Sequence, residues 1–134
     1  MNLIIKNFEN IKSLINNSNV NIVAVSKTFT FGDIKPLVDY GHIHFGENKV
    51  QEAAAKWVYI KKNKPEVQLH MIGKLQSNKA KEAVNLFDFI HSVDSPKLAS
   101  LLAKHEKIIN KRLKYFIQVN IGNETQKSGI SIKS

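Results

Sequence analysis

Ile22-Val23-Ala24-Val25-Ser26-Lys27 is a short apolar run, mostly β-branched, that closes on a lysine. Bounded by Asn21 and by the loop at 28–32, it reads as a fully buried strand rather than a helix. In parallel β/α folds the reactive groups collect where such strands stop, at the carboxyl edge of the sheet. Lys27 stands at that edge. A lysine whose ammonium is partly desolvated there can lose its proton near neutral pH and attack a carbonyl, which is Schiff-base chemistry. The bland alternative is a lysine that ends a strand by snorkelling into water.

Outward from this run the chain alternates. Further apolar runs lie at 42–45, 68–72, 87–91 and 115–120, with helical patterns near 33–40, 47–63, 78–85 and 95–111. Each strand is followed by a helix or by the start of one, which predicts a parallel sheet with crossover connections. Strand starts fall roughly 20 to 28 residues apart, a rhythm shared by (β/α) barrels and open doubly wound sheets. Residues 1–19 carry Leu3, Ile4, Phe8, Ile11, Leu14 and Ile15 at helical spacing among Lys, Asn and Glu, so an amphipathic extra helix precedes the first strand. Asp33 with Pro36, and Asp94-Ser95-Pro96, are the helix-start signals.

Composition narrows the classes. A chain of 134 residues with 43% hydrophobic residues suits one domain with a real core. It has no cysteine, which excludes a disulfide framework, a thiol nucleophile and thiolate metal sites, and fits a cytoplasmic setting. No stretch reaches the roughly 18 to 20 apolar residues of a membrane span. The net charge of +9 invites a nucleic-acid reading. Against it, Arg112 is the one arginine, and base readout and phosphate clamping favour the arginine fork. Lys61, Lys62 and Lys64, just before Pro65, read as a solvated helix end. Neither nucleic acid nor membrane is therefore expected as a partner.

Polar residues recur at every strand end: Ser26-Lys27, Gly46-Glu47-Asn48, Gly73-Lys74-Leu75-Gln76, Ser92-Val93-Asp94, and Asn120 followed by Glu124 and Lys127. Five such clusters on one edge make a site. Gly46 and Gly73 permit tight turns or a close approach of the backbone to a ligand. Glu47 and Asp94 stand where helices begin and read as caps. His44, His70 and His91 read as core or rim histidines, with proton shuttling as the alternative, and no spacing gives a metal triad.

Ala24-Val25-Ser26-Lys27, Phe45-Gly46-Glu47-Asn48-Lys49-Val50-Gln51-Glu52, the run from His70 to Lys79, His91-Ser92-Val93-Asp94-Ser95, and Gln118-Val119-Asn120 with Lys127-Ser128-Gly129-Ile130 resemble, in order and spacing, the signatures of the YggS/PROSC family of pyridoxal phosphate homeostasis proteins. The resemblance runs from about residue 20 to 130. It implies a (β/α) TIM-barrel type fold, that of the alanine racemase amino-terminal barrel. Pyridoxal 5'-phosphate (PLP) would be bound inside it as a Schiff base on Lys27, in a carrier or regulator of the cofactor pool rather than a catalyst. Asn48 is then the candidate donor to the cofactor's 3'-oxygen, or else a turn residue. Met71 is a candidate apolar contact to the ring, or else plain core. Family members continue through further βα units that cradle the phosphate. Residues 1–134 are accordingly expected to be the amino-terminal portion of a truncated, incomplete barrel with about five parallel strands. Its open edges would favour self-association or a complementing carboxyl-terminal fragment. The alternatives are a PLP-dependent, racemase-like enzyme and a non-functional fragment of an interrupted gene.

Overall fold

The computed structural model describes residues 3–15, 20–120 and 130–131. Helix α1 (Leu3–Leu14) precedes β1 (Ala24–Val25), α2 (Phe31–Asp39), β2 (His44–Glu47), α3 (Val50–Asn63) and β3 (Gln68–Met71). A 3-10 turn (Ser77–Lys79) leads into α4 (Ala80–Leu86), β4 (Phe89–Val93), α5 (Pro96–Ile109) and β5 (Lys114–Ile117). The strands form one sheet in the order β1-β2-β3-β4-β5, every neighbour parallel. The alternating pattern predicts the parallel sheet, and its sequential order with a helix between each pair is the opening half of a β/α barrel, as the family resemblance implies. A separate short parallel pair, β6 (Val119–Asn120) with β7 (Ile130–Ser131), was not expected. Glu124, Lys127, Ser128 and Gly129 lie outside the described residues.

Local chemistry fixes the helix boundaries. Thr30, not Asp33, caps α2: its side chain accepts from the Asp33 amide while the Asp33 carboxylate accepts from the Thr30 amide, a reciprocal capping box. Pro36 consequently sits inside the helix rather than in its first turn. At α5 the cap is Ser95, whose Oγ accepts from the Leu98 amide at 3.1 Å, and Pro96 takes the first helical position where its missing N–H costs nothing. Asp94 is therefore not the cap.

The core lies between the sheet and the helices. Helix α3 buries Val50, Ala53, Trp57 and Ile60, spaced three, four and three residues apart, which is one helical stripe. Trp57 packs on Phe45 of β2 with ring centroids 4.8 Å apart. Leu69, Ile90, Ala83, Val84, Leu98 and Leu102 complete the layer, each buried almost entirely. Burying one large apolar side chain stabilises by roughly 1.5–3 kcal/mol.

Two lysines stitch the opposite end of the sheet. Lys61 is no solvated cap: it donates to the Asp88 carboxylate at 2.6 Å and to the Leu86 carbonyl at 3.1 Å. The same Asp88 oxygen accepts from the Leu69 amide at 2.8 Å. Lys111 donates to the carbonyls of Val84, Asn85 and Phe87, groups that the end of α4 leaves without helical partners. Burial pushes the Lys111 ammonium below its ordinary range.

The first strand departs from expectation. It is an edge, not a fully buried strand: among the described residues it pairs with β2 alone, and Val25 is half exposed. At the other edge Phe116 and Ile117 of β5 are also exposed. Helix α1 forms as the periodicity predicts, yet Leu3, Ile11 and Leu14 stay exposed. It is held by the edge-on contact of Phe8 with Tyr40 and by the Tyr40 hydroxyl, which donates to Glu9 at 2.8 Å.

Candidate functional site

The turn after β1 is held by hydrogen bonds to β2 and α3. The Ser26 amide donates to the Gly46 carbonyl at 2.9 Å, continuing the β1–β2 ladder past the strand. Ser26 Oγ donates to Glu47 Oε2, and the Ser26 carbonyl accepts from Lys56 Nζ at 2.7 Å. Two residues on, the Thr28 amide donates to Glu52 Oε1. Thr28 has φ +66°, the left-handed region that a β-branched residue rarely enters, so the turn is held in a conformation its own residues disfavour. Between these points stands Lys27, exposed to solvent. The desolvation expected of it is not provided by the described residues, because the strand it follows is an edge.

Behind the turn lies a charged group where the sequence predicts a helix cap. Glu47 is the last residue of β2 and completely buried. Its Oε2 accepts from Trp57 Nε1 at 2.9 Å as well as from Ser26, and Lys56 Nζ lies 3.0 Å away. A carboxylate in such a place is costly unless paired and hydrogen-bonded; Oε2 meets both conditions, while the buried Oε1 has no hydrogen-bond partner among the described residues. Helix α3 supplies the partners: Lys56 and Trp57 follow one another, and Glu52 is one turn earlier, 3.6 Å from Lys56. Sequence reasoning missed Lys56 and Trp57 as members of the site. The i,i+4 pair Glu52–Lys56 was the available signal.

Asn48 and Gly73 meet across the ends of β2 and β3. A Cβ built on Gly73 would lie 2.5 Å from the Asn48 carbonyl oxygen and 2.7 Å from its Oδ1, so only glycine fits against Asn48. From the other side Ser92 Oγ donates to the Gly73 carbonyl at 2.6 Å. Gly46 lies inside β2, not in a turn; there the missing side chain leaves room for Val23 and Ile72. Asn48, Met71, Lys74, Gln76 and Lys79 line an open groove of about 670 Å³ between the loops that follow β2 and β3. Met71 is 1% exposed and belongs to the core beneath this groove. The structure thus brings Asn48 and Met71 to one groove, whose lining does not include Lys27.

On the face of the sheet away from the helices three histidines stand in a row. His44 Nδ1 is 3.0 Å from His70 Nε2, and His70 Nδ1 is 2.9 Å from His91 Nε2. Phe89 stacks on His70 at 4.0 Å, and Phe116 lies against His91 at 4.6 Å. Burial pushes His70 down to about 4, aided by the neighbouring His91 and His44 and opposed by Asp88. Burial also lowers His44 and His91. They are hydrogen-bonded core and rim histidines, and among the described residues no cluster suits a metal ion. No helix among the described residues is long and apolar enough to cross a membrane.

This architecture has known counterparts. The chain is 39% identical over 115 residues to the pyridoxal phosphate homeostasis protein of Vibrio cholerae, covering 84% of this chain and 49% of that one. With its counterpart in Pasteurella multocida the identity is 40% over 113 residues, 84% of this chain and 48% of that protein. The chain therefore spans about half the length of these curated relatives. PipY of Synechococcus elongatus, solved without PLP, superposes with a TM-score of 0.85 at 38% identity over 93% of this chain and 57% of PipY. PipY with PLP bound gives 0.83 at 37% over the same shares. An alanine racemase of Clostridium difficile shares the fold, with a TM-score of 0.70 at 15% identity over 93% of this chain and 32% of that one. The sequence profile described as "Alanine racemase, N-terminal domain" matches residues 1–134 from end to end, and the chain belongs to that family.

Proposed function

We propose that this chain binds pyridoxal 5'-phosphate through Lys27 as part of a cytoplasmic protein of vitamin B6 homeostasis, and that it does so without appreciable catalytic turnover. The observation that carries the reading is the turn at 26–28, anchored on both sides of an exposed lysine at the carboxyl edge of a parallel sheet. The names of the relatives support it, as does a structural neighbour solved with PLP. When bound, the cofactor supplies an aldehyde and an electron-withdrawing ring. The residues at this edge fit such a group: Lys27 offers an accessible amine, and Asn48, held against Gly73, offers a polar side chain at the next strand end. The absence of cysteine supports a cytoplasmic setting. The half-exposed edges at Val25 and at Phe116–Ile117 support pairing with another chain, either a second copy or a fragment that completes the barrel.

Borohydride trapping tests the attachment. The unprotonated lysine nitrogen attacks the aldehyde carbon and the carbonyl oxygen departs as water; borohydride then adds hydride to that carbon while the nitrogen takes a proton from solvent. Peptide mapping is expected to find the reduced adduct chiefly on Lys27, and Lys27→Ala to remove most of it. An undiminished adduct in Lys27→Ala would sink the assignment.

A further inference from the structure

We infer that Glu47, Lys56 and Glu52 form a positioning clamp that aims Lys27 for carbonyl attachment, an inference that deepens the reading of Lys27 and rests on it. The geometry separates their duties. Glu47 and Lys56 are a buried ion pair seated on Trp57, and together they fix Ser26 by its hydroxyl and its carbonyl. Glu52, one turn earlier on the same helix, fixes the Thr28 amide. The residues on either side of Lys27 are thus tied to a single rigid element, α3, which is itself anchored in the core by Val50, Ala53, Trp57 and Ile60.

A lone buried pair would be poor evidence of purpose, since such pairs contribute little net stability. This one has two features that packing does not require. Both of its members bond to Ser26, the residue before the lysine, Lys56 at the main-chain carbonyl and Glu47 at the hydroxyl. With Glu52 holding the Thr28 amide the turn is over-determined, which lets the strained φ of Thr28 persist. A lysine side chain has four rotatable carbons, so holding its Cα and the direction of its Cα–Cβ bond removes much of the search its amine would otherwise make. None of the three clamp residues touches the cofactor in this scheme; they act through the turn.

The surface lysines of the chain supply an internal reference. PLP is mixed with the intact chain, reduced with borohydride, and the adduct on Lys27 is divided by that on Lys97 and Lys104. Glu52→Ala and Ser26→Ala are expected to lower this ratio about ten- to a hundredfold, and Glu52→Gln, which keeps the accepting oxygen, to restore most of it. Hydrogen exchange at the Thr28 amide, read without cofactor, is expected to be slow in the parent chain and fast in Glu52→Ala. Glu47→Gln adds a third arm; should it fail to fold, Glu52→Ala decides alone, because Glu52 is a third exposed and its loss leaves the core intact. An unchanged ratio in folded Glu52→Ala and Ser26→Ala, or a fast-exchanging Thr28 amide in the parent chain, overturns the clamp. Failure of the underlying reading looks different: adduct yield would then survive in Lys27→Ala.

Discussion

The two faces of the five-stranded sheet are built by alternate residues of the same strands, yet they meet different surroundings. Toward the helices point Phe45, Leu69, Met71 and Ile90, each 1% exposed or less. Away from them point His44, His70, Phe89, His91 and Phe116, a row of rings in contact with one another. The first face is covered by α3, α4 and α5, and apart from Glu47 at the end of β2 its residues need only shape and apolarity. The second is a row of rings in which His70 is buried and Phe116 half exposed, side chains that tolerate both water and a dry neighbour. A strand in a parallel fold therefore carries two independent messages at period two, one addressed to the helix layer and one to the interior.

The largest test of this contrast is a matched pair of truncations. Trp57→Ala removes the ring that packs on Phe45 and donates to Glu47, so urea unfolding should show a loss of about 3–5 kcal/mol. Phe116→Ala, at a ring 53% exposed on the other face, should cost under about 1 kcal/mol. Equal losses would mean that the second face is as fully packed as the first.

Acidity probes the ring face. His70, held near 4, refuses the proton that an unfolded histidine takes at about 6.5. Between those values the unfolded chain binds more protons than the folded one, so stability falls as pH falls from about 6.5 to 4 and levels off above about 7. His70 alone contributes at most about 1.4 kcal/mol per pH unit. His42, His44 and His91 push in the same direction. Replacing His70 with Gln should flatten the slope, and melts at pH 7.5 and 4.5 would read it. A slope unaltered by the replacement would place the acid sensitivity elsewhere.

The smallest expected effect concerns the edges of the sheet. If copies pair through β1 or β5, the melting temperature should rise by a few degrees for a tenfold rise in protein concentration. Lysine at Val25 should reduce that dependence, since a charge at an exposed edge opposes pairing. Sedimentation as a monomer at high concentration would leave both faces to be explained within one chain.

Much of this architecture is legible in the sequence because it is periodic. The runs at 42–45 and 68–72 find β2 and β3 to within two residues, and Ser95-Pro96 marks the start of α5. Lys27 and Asn48 are visible as polar residues close after apolar runs. What stayed hidden is non-local. Glu47 looks like the first residue of a helix because Glu commonly stands there; that it ends a strand, with Ser26 21 residues before it and Trp57 10 residues after it as partners, depends on three elements meeting in space. The histidines are each readable as core, but their contact depends on the parallel register that sets Gly46 beside His70 and His70 beside Phe89. Lys61 reads as a solvated helix end because its partners are a main-chain carbonyl and an aspartate that only the folded chain brings near.

The row of imidazoles carries one more consequence. A neutral imidazole has a single N–H, and His70 uses both ring nitrogens, one toward His44 and one toward His91. If the hydrogen sits on His70 Nε2, His44 must accept and His91 must donate; if it sits on Nδ1, both neighbours must take the opposite tautomer. The three rings thus share one binary choice of direction across β2, β3 and β4. A hydrogen-bonding group that meets the free nitrogen of one end ring selects the tautomer of the other, with no backbone atom needing to move.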